Sequence, residues 1–349
     1  MRNKVASDCF GLTSDQKMML LFSFFFFMTV LLRMGQCFAS DSVMGNWEGE
    51  VRSAHGAEKL LRAKIIAEGG GRYRAVMRVG KRDKREIKRI TGHRKKGQVF
   101  FAGALDLGSE FGGICQLRGK IIGRNLKGDC SSATSLYQFS MRRVQVNFPE
   151  LGVKPAEKAV VLFDGSSLDS WVDLNNQPAR WKLLKDKSME VAKGNIITQQ
   201  VFGDALIHLE FRTPLMPEAR GQARGNSGVY VHGRYEIQVL DSFGLKPMDN
   251  GCGAIYKIAS PRINASLPPM DWQTYDIVFR APRFDSTGIK LKNAEISVRH
   301  NGQLIHDRQE LLGPSLGGIS EEEGKRGGLL LQDHRDPVQY RNIWILPLD

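Results

Sequence analysis

The sequence is poor in the residues that build metal centres: its 349 residues include 5 Cys and 7 His. No Cys-x-x-Cys pair and no His-rich cluster occurs, which argues against a structural zinc site. A bilayer-spanning apolar run is also missing. The longest run, residues 18–32, has fifteen residues bounded by Lys17 and Arg33, against the ~20 that a spanning helix needs. With Cys37 and Ala39 following, the pattern reads as a secretory signal peptide over residues 1–39, cleaved after Ala39. Met34-Gly-Gln-Cys37 is a poor lipobox, and the sixteen residues ahead of the apolar run are long for a leader, so translation could begin at Met18 or Met19. The expected destination is therefore the periplasm, the cell surface or the medium. Cleavage would remove Cys9 and Cys37 and leave Cys115, Cys130 and Cys252 in an oxidising compartment. Cys115 and Cys130 are close enough in sequence to bridge neighbouring strands, which leaves Cys252 odd.

Acidic residues are scarce in the first half. Residues 40–150 carry 22 Lys and Arg against 11 Asp and Glu, a net of +11, whereas residues 151–349 carry 24 of each. The densest basic run spans 81–89 and continues through His93-Arg-Lys-Lys96. Such a stripe is either a solvated hairpin face or a contact for a polyanion, such as an acidic polysaccharide or an anionic cell-envelope surface. It lacks the interleaved aromatics of a base-stacking platform, and export removes nucleic acid as a partner. Residues 60–67, 72–79, 98–102, 114–122 and 136–144 are short, partly alternating and separated by glycines. They predict a small antiparallel barrel or sandwich over residues 40–146. Nothing in it looks catalytic, because His55 and His93 stand alone among basic residues. A binding, docking or scaffolding role is expected.

Residues 147–158 carry two prolines and no clear period, and read as a linker. From 159 to 349 no long helical period competes with about ten strand signals, which fit a two-sheet jelly roll. Asn301-Gly302 marks one hairpin. The stretch Gly225-Asn-Ser-Gly-Val-Tyr-Val-His-Gly-Arg-Tyr-Glu-Ile-Gln-Val-Leu-Asp241 predicts another, with Gly233-Arg234 as its two-residue loop. Glu236 and Gln238, two apart on a strand, share one sheet face. In Ala205–Arg212, alternation turns Ala205, Ile207, Leu209 and Phe211 inward and His208, Glu210 and Arg212 outward. If this strand neighbours the hairpin, Glu210 joins Glu236 and Gln238 on one concave surface. Trp171, Trp181, Trp272 and Trp344 read as packing residues rather than sugar platforms.

Gly225-Asn-Ser-Gly-Val-Tyr-Val together with Tyr235-Glu-Ile-Gln-Val-Leu-Asp241 resembles the core signature of the 3-keto-disaccharide hydrolase family. Supporting matches lie at Leu162-Phe-Asp-Gly-Ser-Ser-Leu-Asp-Ser-Trp171, at Asn264-Ala-Ser-Leu-Pro-Pro-Met-Asp-Trp-Gln-Thr-Tyr275 and at Leu331-Gln-Asp-His-Arg-Asp-Pro-Val-Gln-Tyr-Arg-Asn-Ile343. The resemblance covers about 159–349 and implies an all-β, concanavalin-like jelly-roll sandwich. It departs from the family at Arg335, where Gly is usual.

The implied activity is cleavage of glycosides already oxidised at C3. The ketone acidifies the C2 hydrogen, a base removes it, the C1 aglycone leaves, and water adds to the enone, so that the net result is hydrolysis. This needs a base, a partner for the enolate oxygen and a proton donor for the leaving oxygen. The expected catalytic residues are Glu236, His334 and Glu210, with Asn226, Ser227, Gln238, Asp241 and Arg341 binding substrate. Asp241 with Glu210 or His334 could instead hold a divalent metal cation as Lewis acid. The rival readings are a non-catalytic carbohydrate-binding module, a glycosidase acting on unoxidised glycans, and a cell-surface protein that adheres through its basic first domain.

Overall fold

Alternation of apolar and polar residues closes the first eight strands into a barrel. They are β1 (Gly45–Arg52), β2 (Glu58–Ala67), β3 (Arg72–Val79), β4 (Ile87–Lys95), β5 (Gln98–Asp106), β6 (Ile114–Ile122), β7 (Asn125–Ser131) and β8 (Leu136–Val144). Each pairs antiparallel with the next, and β1 returns to β8, so no edge is left open. Along β2, Leu61, Ala63 and Ile65 are buried while Arg62 between them is exposed. Trp47, Tyr73, Phe101 and Met141 join them in one apolar cluster, each buried large side chain contributing roughly 1.5–3 kcal/mol. The Cys115–Cys130 disulfide links β6 to β7, and Cys252 is free and buried.

The protein is described by a computed structural model covering residues 40–54, 56–80 and 87–348, with backbone alone at 87–89. The expected signal peptide, His55 and the 81–86 part of the basic run lie outside the described residues. At the end of that run Arg94, Lys95 and Lys96 are exposed.

Two sheets stack behind the barrel. The smaller has the order β10 (Trp171–Asp173), β13 (Ile196–Thr198), β22 (Leu330–Leu331), β15 (Ser227–Val231) and β16 (Tyr235–Val239). The larger runs β11 (Lys182–Leu183), β12 (Met189–Glu190), β23 (Gln339–Pro347), β14 (Ala205–Arg212), β17 (Gln273–Arg280), β20 (Ala294–His300) and β21 (Gln303–Leu311), with β9 (Val160–Phe163) added beside β23. A two-stranded ribbon, β18 (Arg283–Phe284) with β19 (Lys290–Lys292), completes it. The core between the sheets takes Val229, Ile237 and Leu331 from one side and Ile207, Tyr275 and Ile345 from the other. This is the jelly-roll sandwich expected, preceded by the closed form of the two alternatives for the first domain.

Two local expectations are corrected. The β15–β16 loop has three residues, His232-Gly233-Arg234, since Val231 pairs with Tyr235. His232 and Gly233 adopt φ of 55° and 65°, so the turn needs two left-handed residues rather than a leading glycine. Neither does β14 neighbour the hairpin: it lies between β17 and β23 in the other sheet. Its outward face is buried too, because the segment after the barrel crosses it. The Gly152 N–H donates to Glu210 Oε1 at 2.7 Å, and Asn342 Nδ2 donates to the Val153 carbonyl at 2.9 Å.

The barrel and the sandwich are fastened together. Phe243 packs into the barrel's apolar cluster. Arg224 Nη2 donates to the Ala67 carbonyl at 3.2 Å, Arg220 Nη2 donates to that of Glu68 at 2.7 Å, and Glu218 Oε1 accepts from the Gly70 N–H at 2.7 Å.

Candidate active site

The β15–β16 register decides which side chains meet. Val229, Val231, Ile237 and Val239 face the core, so Gly228, Tyr230, Glu236 and Gln238 occupy the opposite face, with Gly228 beside Gln238 and Tyr230 beside Glu236. Gln332, just past β22, lies beside Gly228, to whose carbonyl its N–H donates at 2.9 Å. Its Nε2 donates to Tyr230 Oη at 3.1 Å. Gly228 is what lets the carboxylate lie down on the sheet: a Cβ there would stand 2.4 Å from Glu236 Oε1.

This polar face is roofed. Ser315 Oγ accepts from the Glu236 N–H at 3.0 Å, and the chain crosses Tyr230 so closely that a Cβ on Gly317, whose φ is 81°, would lie 2.9 Å from the Tyr230 hydroxyl. From the other side, Gln222 Oε1 accepts from Gln238 Nε2 at 3.0 Å and from Asn226 Nδ2 at 3.3 Å. Glu236 and Gln238 are each 2% exposed. Burial drives the Glu236 carboxyl up to about 7, opposed only by a hydrogen bond from Tyr230. Burial first, then the Glu236 charge, also raises the Tyr230 phenol. Asn226 Oδ1 and Gln238 Oε1 are buried acceptors without a donor. Leaving such atoms unmet is costly, and two ligand hydroxyls, one donating to each, would satisfy them.

His334 is exposed beside this face, near Asp336, whose Oδ2 accepts the Asn226 N–H at 2.8 Å. Burial raises the Asp336 carboxyl, against that hydrogen bond and the charge of His334. Arg335 adopts φ of 70°, which accounts for glycine being usual at this place.

Four of the expected site residues lie elsewhere. Ser227 points into the sandwich, donating to the Gln332 carbonyl at 2.6 Å and accepting from Tyr340 Oη at 2.7 Å. Asp241 is spent on Arg224, with Nε to Oδ2 at 2.7 Å, at the junction with the barrel. Burial raises its carboxyl despite the guanidinium. Glu210 and Arg341 pair at 2.6 Å on the outer face of the larger sheet, where Arg341 also stacks 4.1 Å over Trp272. Burial opposes the Glu210 charge, yet His208, Asn342, Arg341 and the Gly152 N–H outweigh it and hold the carboxyl at about 2. Glu210 therefore does not face Glu236, because the two belong to different sheets. The donors proposed for a divalent cation do not fit one: Arg224 already neutralises Asp241, and Arg341 neutralises Glu210. Among the described residues no three His, Cys, Asp or Glu side chains gather around a metal-sized space.

The site therefore gathers Glu236, Gln238, Asn226 and, at its rim, His334. Sequence reasoning passed over Tyr230 and Gln222 as partners. Tyr230 was visible on the right face of its strand, whereas Gln222 carried no signal, since it reaches the site from the single 3-10 turn Gly221–Ala223.

The fold and this face define a concanavalin-like sandwich of a carbohydrate-acting class. Residues 158–346 match the 3-keto-alpha-glucoside-1,2-lyase-like domain, and the chain belongs to that family. A crystal structure of a candidate glycosyl hydrolase from Parabacteroides distasonis ATCC 8503 is 34% identical, with a TM-score of 0.51, over 55% of this chain and 84% of that one. A second, described in the same way and from the same organism, is 19% identical with a TM-score of 0.42, over 55% and 95%. A search of curated proteins finds no match.

Proposed function

We propose that the sandwich cleaves 3-keto-glycosides by 1,2-elimination followed by hydration, with Glu236 as the base. The observation that carries this reading is a buried carboxylate, with no cation beside it among the described residues, poised near pH 7 between Tyr230 and Gly228. A base of that strength is half-ionised at neutral pH, where proton transfer is most efficient.

Glu236 takes the C2 proton, and the C–H electron pair forms the C1–C2 double bond as the C1–O bond to the aglycone breaks. The amide of Gln332, and the Tyr230 hydroxyl once Glu236 has taken the C2 proton and no longer accepts from it, stabilise negative charge on the C3 oxygen. His334, at the rim, protonates the leaving oxygen. Water then adds to C1 as His334 takes up the proton it loses, and Glu236, its proton exchanged with solvent, returns one to C2. Asn226 and Gln238, each with a free acceptor oxygen, hold sugar hydroxyls. Substrate entry requires the 312–319 part of the roof to lift. Leu312 and Leu316 on it are 75% and 69% exposed, apolar surface available to a second arrangement.

The placement of Glu210 disfavours a two-carboxylate glycosidase, which needs its pair to flank one bond. Export to the periplasm, cell surface or medium is part of this proposal and rests on the leader's composition. The test is product analysis with 3-keto-trehalose, 3-keto-sucrose and their unoxidised parents. Release of 3-ketoglucose from the oxidised sugars, lost in Glu236→Gln, supports the reading; no release by the folded protein refutes it in favour of a binding module.

A further inference from the structure

Between the barrel and the sandwich lies a cleft of about 670 Å³ that the proposed chemistry does not use. One wall is the outer face of the barrel, where Arg62 and Lys64 on β2 stand beside Arg78 and Val76 on β3. The other wall is formed by residues 244–247 and 262–264, which contribute Lys246 and Arg262. That wall is pinned by Asn264, whose Nδ2 donates to the carbonyls of Ser242 and Leu245 at 2.6 and 3.0 Å.

Among the described lining residues cations outnumber carboxylates: Arg62, Lys64, Arg78 and Arg262 stand there with Lys246, which has a partner of its own, against one carboxylate, Glu48, which Arg62 engages at 3.0 Å. Arg262 reaches Asp307 at 3.7 Å, outside the cleft lining. Arg62 and Arg78 are directly registered across the β2–β3 ladder, an arrangement that costs stability unless something anionic lies over it. Among the described residues, the contact recorded for the Lys64 ammonium is the Phe243 ring, 5.1 Å away. Burial and Arg78 lower Lys64 to about 8, so an anion placed there would restore its affinity for the proton.

We infer that this cleft is a second, non-catalytic carbohydrate site that takes an acidic oligosaccharide, a short run of uronate or sulfated sugars. The volume falls inside the roughly 300–1,000 Å³ of small-ligand sites. Apolar Val76, Val146, Leu245 and Ile263 among the cations offer surface for the C–H faces of pyranose rings. Nucleic acid fits less well, because the aromatic rings nearest the cleft, Trp47 and Phe243, are 1% and 2% exposed and cannot stack bases. A flat anionic membrane does not enter a two-walled cleft. The anionic half of this inference rests on the cleft alone. The carbohydrate half rests on the family reading of the sandwich.

Titration calorimetry of the full chain with trigalacturonate tests it, beside neutral maltotriose, inorganic phosphate, a trinucleotide and phosphatidylglycerol vesicles. Trigalacturonate should bind and maltotriose should not, with affinity falling as salt screens the cations. The double variant Lys64→Gln/Arg78→Gln should bind roughly tenfold or more weakly, having lost two charge-assisted contacts, with its circular dichroism unchanged and its melting no lower. Lys95→Gln/Lys96→Gln, in the exposed basic run, should bind as the parent does. Glu236→Gln should also bind as the parent does, so failure of the catalytic reading leaves this outcome separately legible. No binding, binding that the double variant retains, or tighter binding of phosphate, the trinucleotide or vesicles would overturn the inference.

Discussion

Tyr230 and Glu236 are registered partners across the β15–β16 ladder, and both turn away from the sandwich core. Their pairing sets the acidity of the site, since burial lifts Glu236 to about 7 and the Tyr230 hydroxyl is the one group opposing it. The rate should follow the ionised carboxylate. On a 3-keto-glycoside, the acid limb of kcat/KM is expected to rise with pH through about 7. Tyr230→Phe removes the opposing hydrogen bond and should move that limb to higher pH, which a pH–rate profile reads directly.

Glu236→Gln should cost about 10²–10⁴-fold in kcat, the usual contribution of a positioned base, while leaving the fold intact. Stability should move the other way. A carboxyl raised in the folded state favours folding below its unfolded value near 4.5, and that contribution is lost as pH rises through about 7. The variant carries no such charge. Above pH 7 it should be more stable than the parent, on the order of 3 kcal/mol, with the difference vanishing below pH 4.5. Urea unfolding at the two pH values checks this.

Gly228→Ala tests the geometry rather than the charge. Its backbone is ordinary extended strand, so alanine brings no conformational strain, but its methyl would stand 2.4 Å from Glu236 Oε1. The carboxylate must swing off the sheet. We expect kcat to fall at least as far as a small misplacement of a catalytic group costs, about 10²-fold, with melting little changed.

Glu210→Ala should show the reverse pattern. It strips a buried carboxylate from Arg341, Asn342 and the Gly152 N–H, and breaking one side of a buried pair costs about 3–5 kcal/mol. The loss should appear in denaturant unfolding, with kcat of the folded fraction unchanged. Because partners hold the Glu210 carboxyl at about 2, its contribution is present above pH 4.5 and fades as pH falls toward 2.

Glu236 and Gln238 were legible in the sequence because period-2 alternation needs only their own strand. Glu210 and Arg341 were misplaced because their roles depend on which strands pair, and β14 chooses β17 and β23 over the nearer hairpin. Ser227 turns inward with Val229 and Val231, as its own strand's alternation already shows, and Asp241 is claimed by Arg224, a partner no local pattern marks. Both faces of β14 are covered, so its alternation carries no solvent side to read. The barrel strands left unmarked, β1, β4 and β7, have glycine at inward positions: a Cβ at Gly49 would lie 1.9 Å from the Ser140 carbonyl, and one at Gly128 2.0 Å from that of Arg118. Close packing of backbones erased the apolar signal that marks their neighbours.

The central claim is that a proton leaves C2 and returns from solvent. Turnover of a 3-keto-glycoside in deuterium oxide, stopped early and read by mass spectrometry and NMR, tests it most directly, with free 3-ketoglucose incubated alongside to measure spontaneous exchange. The account predicts one deuterium at C2 of the 3-ketoglucose formed, beyond the exchange control. Product released with its original C2 hydrogen would contradict it.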